Sequence, residues 1–283
     1  MDMKNLCLLQ KFNKNNFFSN PYPHLVIEDC LPNEIYSKIY SEYFKVIDCL
    51  KKENNFDKLN NVRLQLNANK ILSMKNLKNT TLKQFIEYHT SDVFFKKVIG
   101  LFFNFIDDYY PYISKNLLEF SEKNFLSTRY ENKAINKKYK FVIDCQPGIN
   151  TPILKRSSVR GPHVDNPVEI IGGLFYLRDE HDHTLGGDFE IYDSKDNNIF
   201  FHKKAEVKNI SQITKIKTIP YKKNTCIFFL NSKKSIHGIS ERDKTSHTRN
   251  LINFIIETYK YEELFLLNRK SNFISSLFKK ILR

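Results

Sequence analysis

Between Phe141 and Ile256 the sequence passes through about eight short, apolar, β-branched segments with no helical period between them, and nothing else restricts the fold so strongly. The clearest are Phe141-Val142-Ile143-Asp144-Cys145-Gln146, Gly172-Gly173-Leu174-Phe175-Tyr176-Leu177, Cys226-Ile227-Phe228-Phe229-Leu230 and Leu251-Ile252-Asn253-Phe254-Ile255-Ile256. Strands alternating with helices would build βαβ units. Here only turn residues separate them, among them Pro147-Gly148 and Gly186-Gly187, and that pattern favours a double-sheet barrel. The expected class is mainly β with flanking α-helices.

The flanks read differently. Residues 1–20, rich in Asn, Lys and Phe without a period, are expected to form a loose arm. Residues 21–139 form a mostly helical module. In it Pro23 to Asp29 reads as a strand, and Pro32 stands where a first helical residue tolerates a missing N–H. Ile35, Ile39 and Tyr43 then recur at helical spacing. Asn54 to Asn79 is polar and reads as a connecting or lid-like segment. Leu82, Phe85 and Ile86 give a short amphipathic stripe, and Thr90 or Ser91 caps a stronger one running from Phe94 to Ile106. A further helix is expected around Lys115 to Lys123. Residues 140–260 form the barrel. Residues 261–283 form an amphipathic helix, with Phe273, Ile274, Leu277 and Phe278 opposite Lys279, Lys280 and Arg283.

The formal charge of +14 and the lysines between Lys203 and Lys223 raise the question of a polyanion partner. Lys, Asn, Ile and Phe are all abundant while Trp is absent, as an A+T-rich coding sequence imposes, so a solvated basic surface explains the charge, and nucleic acid is not an expected partner. Five scattered cysteines without Cys-x-x-Cys spacing suggest neither disulfides nor structural zinc, which fits a cytoplasmic location. Leu6-Cys7-Leu8-Leu9 is too short for a signal-peptide core, and no apolar run approaches a membrane span. The 273–283 helix leaves peripheral membrane contact or a homo-oligomer open.

One motif carries chemistry. In the extended stretch Arg160-Gly161-Pro162-His163-Val164-Asp165, His163 and Asp165 are two residues apart and point the same way. His237, in Ser235-Ile236-His237-Gly238-Ile239, is the best third ligand. Two histidines and a carboxylate make the facial triad of non-haem iron(II). His181 and His183 sit in a strongly polar loop and do not match it.

The order His163-x-Asp165, Gly172-Gly173, Gly186-Gly187-Asp188, Cys226 to Leu230, His237-Gly238 and Arg249 resembles the 2-oxoglutarate- and iron(II)-dependent oxygenases, in particular the branch of prolyl 4-hydroxylase-like catalytic domains, over residues 140 to 258. The resemblance implies a double-stranded β-helix of jelly-roll (cupin-like) type with helices packed on one sheet. It also implies Fe(II), 2-oxoglutarate and O2, and hydroxylation of a substrate with release of succinate and CO2. His163, Asp165 and His237 would hold the metal and act as the catalytic set. Arg249 would bind the far carboxylate of 2-oxoglutarate. Many relatives carry a hydroxyl residue two places later, where this chain has Leu251, so Asn253, Thr248, Gln146 or Asn150 would have to complete the clamp. The substrate, a small molecule or a protein side chain and of acidic character if the charge attracts it, is not written in any motif. A non-catalytic jelly-roll binding protein, or a polyanion-binding protein using 203–223, is the alternative.

Overall fold

The computed structural model of the chain describes residues 3–117, 123–194, 199–202, 205–260 and 264–265. Its strands are β1 (Phe17–Phe18), β2 (His24–Ile27), β3 (Arg63–Gln65), β4 (Leu126–Thr128), β5 (Phe141–Asn150), β6 (Glu169–Tyr176), β7 (Phe189–Ser194), β8 (Ile213–Ile219), β9 (Cys226–Leu230), β10 (His237–Ile239) and β11 (Arg249–Glu257). The helices are α1 (Asn33–Glu53), α2 (Ala68–Ser73), α3 (Thr81–His89), α4 (Asp92–Tyr109), α5 (Pro111–Leu117) and α6 (Lys133–Asn136).

The strands divide into a large sheet, ordered β1-β2-β9-β6-β11-β5-β3 with β4 beside β5, and a small one, ordered β10-β7-β8. Alternation gives the large sheet two different faces. Asn150, Gly148 and Gln146 lie across from Arg249, Leu251 and Asn253, and the last two lie across from Tyr176 and Leu174. This inner face meets the small sheet, where Leu174, Phe229 and Leu251 pack with Phe189, Ile191 and Ile239. The outer face carries Phe175, Phe228 and Phe254. Helices α3 and α4 cover it, with Phe85 5.7 Å from Phe175 and Phe94 6.0 Å from Phe228 between ring centroids. The result is a mixed α and β architecture in three layers.

Of the eight strands expected beyond residue 140, seven form among the described residues. The stretch bearing His163 makes only single bridges, to His237 and to Glu206. Its prolines and polar residues cannot sustain a ladder.

The helices start where their caps dictate. The Ser91 and Thr80 side chains accept from the Phe94 and Lys83 N–H groups, and Pro111 opens α5 rather than merely closing α4. Of the helix expected around Lys115 to Lys123, residues 118–122 lie outside the described ones, as do most of 261–283 and the whole amphipathic stripe 273–283. No helix among the described residues is long and apolar enough to cross a membrane.

Two expectations are corrected. Asn54 to Asn79 is more than a connector, because Arg63 to Gln65 add an edge strand to β5 and Ala68 to Ser73 coil into α2. Residues 1–20 are not a loose arm: Leu6, Cys7 and Leu8 are fully buried against the helices. A four-residue apolar cluster was enough to dock a segment whose surroundings are polar. The Leu8 N–H donates to His89 Nε2 (3.3 Å), while His89 Nδ1 donates to the Phe85 carbonyl (2.8 Å).

Two outcomes follow. Leu8→Ala should cost about 2–4 kcal/mol in denaturant unfolding, and a loss under 1 kcal/mol would restore the loose arm. Burial lowers the His89 pKa to about 3, against 6.5 for an ordinary histidine. Below pH 6.5 the unfolded chain therefore binds a proton that the folded one refuses, so stability falls as pH drops toward 3. By pH 5 this amounts to about 2 kcal/mol. His89→Gln should remove that share of the acid sensitivity, measured as the difference in unfolding free energy between pH 7 and pH 5.

Candidate active site

His163 and His237 come from distant parts of the chain, yet they face each other in an antiparallel bridge. Each backbone N–H donates to the other's carbonyl, at 2.8 and 2.9 Å, and the imidazole centroids are 4.3 Å apart. Asp165, two residues on, presents its carboxylate to both rings. His163 Nε2 lies 3.5 Å from Oδ1 and His237 Nε2 lies 3.6 Å from Oδ2. The three donor atoms fall within 4.8 Å of one another, and no other such cluster occurs among the described residues.

The protons decide what this cluster is for. His163 Nδ1 donates to the Gly161 carbonyl (2.7 Å) and His237 Nδ1 to the Ser235 carbonyl (2.8 Å), so a ring that carries a single proton keeps it there and turns a bare Nε2 toward the carboxylate. Lone pairs then converge on one point with no proton between them, an arrangement only a cation makes favourable. Burial, followed by His163, lowers the His237 pKa to about 3, so that ring stays neutral. Burial raises the Asp165 carboxyl, but His237, His163 and Arg160 outweigh it and hold the group well below the usual carboxylate range. The donor set suits Fe(II), among other first-row divalent metals. Phe189 stacks on His237 (5.1 Å), and Phe229 closes another side (4.6 Å).

Arg249 is fully buried on the inner face. Its Nε donates to the Gly187 carbonyl (2.7 Å), Nη1 to Asn150 Oδ1 (3.3 Å) and Nη2 to the Tyr176 hydroxyl (3.0 Å). A guanidinium has five N–H groups, so each terminal nitrogen keeps one, the pair that a carboxylate takes in fork geometry. Asn150 Oδ1 is engaged with Arg249, and its Nδ2 is buried with no partner among the described residues. Gly186 and Gly187 have φ of +83° and +80°, and a Cβ on Gly187 would meet Arg249 Nε at 3.3 Å. The turn thus needs glycine for its conformation and for the close approach of the arginine.

Gln146 and Asn253 are spent differently. Gln146 Oε1 accepts from Asn253 Nδ2 (3.0 Å) and Gln65 Nε2 (2.9 Å), while its Nε2 donates to Asp144 Oδ2 (2.6 Å). Asn253 still lines the cavity that holds the metal cluster, about 500 Å³ in volume. Thr248 turns to Asn250 (2.7 Å).

No family model matches the sequence, and no curated protein matches it. Solved structures similar to this chain include a prolyl 4-hydroxylase from Phytophthora capsici, 12% identical, covering 91% of this chain and 67% of its own, with a TM-score of 0.41. Another is a prolyl hydroxylase from Trichoplax adhaerens in complex with a hypoxia inducible factor oxygen degradation domain peptide fragment, with 12% identity, 91% and 90% coverage and a TM-score of 0.41. A third is the viral collagen prolyl hydroxylase of Paramecium Bursaria Chlorella virus-1 in its 2OG complex, with 16% identity, 84% and 96% coverage and a TM-score of 0.36.

Sequence reasoning missed Tyr176. Tyr176 lies directly across from Leu251 on β6 and its hydroxyl accepts from Arg249, a relation only strand register reveals. It also missed Arg63, Arg129, Arg160 and Glu169, which line the same cavity. Burial, together with Asp165 and Glu257, pushes the Glu169 carboxyl well above its ordinary range.

The basic stretch is largely engaged. Lys215 pairs with Glu190 (2.9 Å), Lys222 pairs with Glu28 (2.6 Å), and Lys217 lies over the Phe18 ring (3.6 Å). Lys203 and Lys204 lie outside the described residues.

Proposed function

We propose that this chain is an iron(II)- and 2-oxoglutarate-dependent dioxygenase that hydroxylates a small molecule or a protein side chain. In this reading the two facing sheets are the halves of a double-stranded β-helix, braced by residues 21–139. The convergence of two Nε2 atoms and one carboxylate within 4.8 Å of one another supports the reading most directly. The sequence resemblance over residues 140 to 258 supports it further.

In this mechanism His163, Asp165 and His237 hold the metal and offset part of its charge. Iron(II), when bound, supplies the redox chemistry that couples dioxygen to oxidation of the keto acid and the substrate. Arg249 offers its two remaining N–H groups to the far carboxylate of 2-oxoglutarate, and Asn150 Nδ2 and the Tyr176 hydroxyl stand beside it. Phe189, Phe229 and Leu174 exclude water from one wall of the cavity.

Purified protein supplied with iron(II) and 2-oxoglutarate should release succinate even without a substrate. Chelation should stop the release, and a metabolite extract should yield a product heavier by one oxygen. Succinate release that survives chelation would remove the iron assignment, and no release at all would leave the chain a binding protein.

A further inference from the structure

Apart from Lys133, which is exposed to solvent, every described cation but one that lines the central cavity or its approach faces an acid. Arg129 Nε lies 3.3 Å from Glu257, Lys70 lies 2.6 Å from Glu53, and Arg160 lies 3.4 Å from Asp165. Arg63 is the exception. Its Nε and Nη2 are shut off from solvent and have no hydrogen-bond partner among the described residues. The register explains where the side chain goes. Arg63 and Arg249 both lie directly across from Asn150, on β3 and β11 to either side of β5, so all three share the inner face.

Arg63, Gln65 and Arg129 line the metal cavity and also a second cavity of about 590 Å³ reached from Lys70 and Lys133. They form the partition between the outside cleft and the metal cluster. Arg63 is part-buried, and a guanidinium with two nitrogens shut off from solvent and no counter-charge costs stability, so a fold keeps one where something else neutralises it. Asp165 acts on Arg63 only from a distance, and its charge belongs to the metal cluster. Burial, and next the neighbouring Arg249, lowers the Arg63 pKa to about 10, which still leaves it charged at neutral pH.

We infer that Arg63 is the anchor for an oxyanion group, carboxylate or phosphate, on the molecule that is oxidised. That the molecule is oxidised rests on the oxygenase reading; that an anion binds does not. Arg249 keeps two N–H groups for the cosubstrate deep in the sheet, while Arg63, on the edge strand beside the outer cleft, meets what enters from there. The substrate is then an anionic molecule whose charged end stops at the partition and whose other end reaches toward the metal.

The test uses the full-length, metal-free protein. Inorganic phosphate, and acetate in a parallel titration, are followed by NMR shifts in the wild type, R63M and R63K. At least one anion should bind the wild type, R63M should weaken it tenfold or more, and R63K should retain most of the affinity. In anion-free buffer R63M should also melt at a higher temperature than the wild type, because it removes a charge whose Nε and Nη2 are buried without a partner. A purely structural arginine would give the opposite shift. Equal anion affinity in the wild type and R63M, or a lower melting temperature for R63M, would overturn the inference. So would a tenfold rise in the 2-oxoglutarate requirement of R63M, which would assign Arg63 to the cosubstrate. Succinate release by the wild type is scored separately. Its absence would remove the oxygenase reading and leave the anion site to be judged by the titration.

Discussion

Replacing His163, Asp165 or His237 by alanine is expected to bring iron-dependent succinate release to background in each of three separate proteins, a loss of at least a hundredfold. The three donors lie within 4.8 Å of one another and no fourth stands by among the described residues, so losing one leaves two ligands where the chemistry uses three. Metal affinity, followed with cobalt(II) as a spectroscopic probe, should fall in parallel. The fold should persist, because neither histidine supports the core through Nε2, and Nδ1 of each bonds only to the carbonyl two residues before it. Asp165 is the most informative of the three. Its loss removes only an ion pair with Arg160, which is more than a third exposed, so a melting temperature close to wild type should accompany a dead enzyme. Wild-type turnover in any one variant would remove that residue from the set.

The second large effect is expected at Arg249. Arg249→Leu should raise the 2-oxoglutarate concentration needed for half-maximal succinate release by at least tenfold, about 1.4 kcal/mol, while cobalt(II) affinity stays nearly unchanged. The side chain is buried and its three bonds orient it, so the substitution also strands the Gly187 carbonyl and the Asn150 amide, and some stability is lost. Arg249→Lys separates the two consequences. It restores the charge without the planar fork, so it should recover part of the affinity and not all of it. Superimposable 2-oxoglutarate curves for Arg249→Leu and the wild type would mean that the cosubstrate binds elsewhere.

The sequence was most legible where local chemistry alone decides the structure. Strand alternation located β5, β6, β9 and β11, and the spacing of Phe94 to Ile106 located α4. The turn expected at Pro147-Gly148 does not form, because both residues pair with β11 inside β5, which runs on to Asn150. The His163-x-Asp165 pair could be read because an extended segment puts residues two apart on one side. What escaped depended on pairing between distant segments. Arg63 lies in a polar stretch with no period, and only the edge position of β3 turns it inward. Tyr176 looked like one more apolar strand residue until register set it beside Arg249. Leu6 to Leu9 looked too short to matter, since nothing local indicates that α3 and α4 leave a site for them. Gln146 was placed in the right region, but Asp144, Gln65 and Asn253 occupy its amide.

The bridge between His163 and His237 also bears on how the protein assembles. The two residues are joined by one reciprocal pair of backbone bonds rather than a ladder, and around it the chain packs so closely that a Cβ on Gly238 would come within 3.2 Å of the Gly161 backbone. Such a crossing completes only after the intervening segments, β6 through β9, have found their partners, because closing a long loop for a single bridge gains little by itself. The cluster of His163, Asp165 and His237 is therefore expected to form late in folding, and an ion bound there would act as a latch on a nearly finished molecule rather than as its nucleus. Refolding rates should be almost indifferent to metal, whereas the rate at which the loaded protein comes apart should be markedly slower.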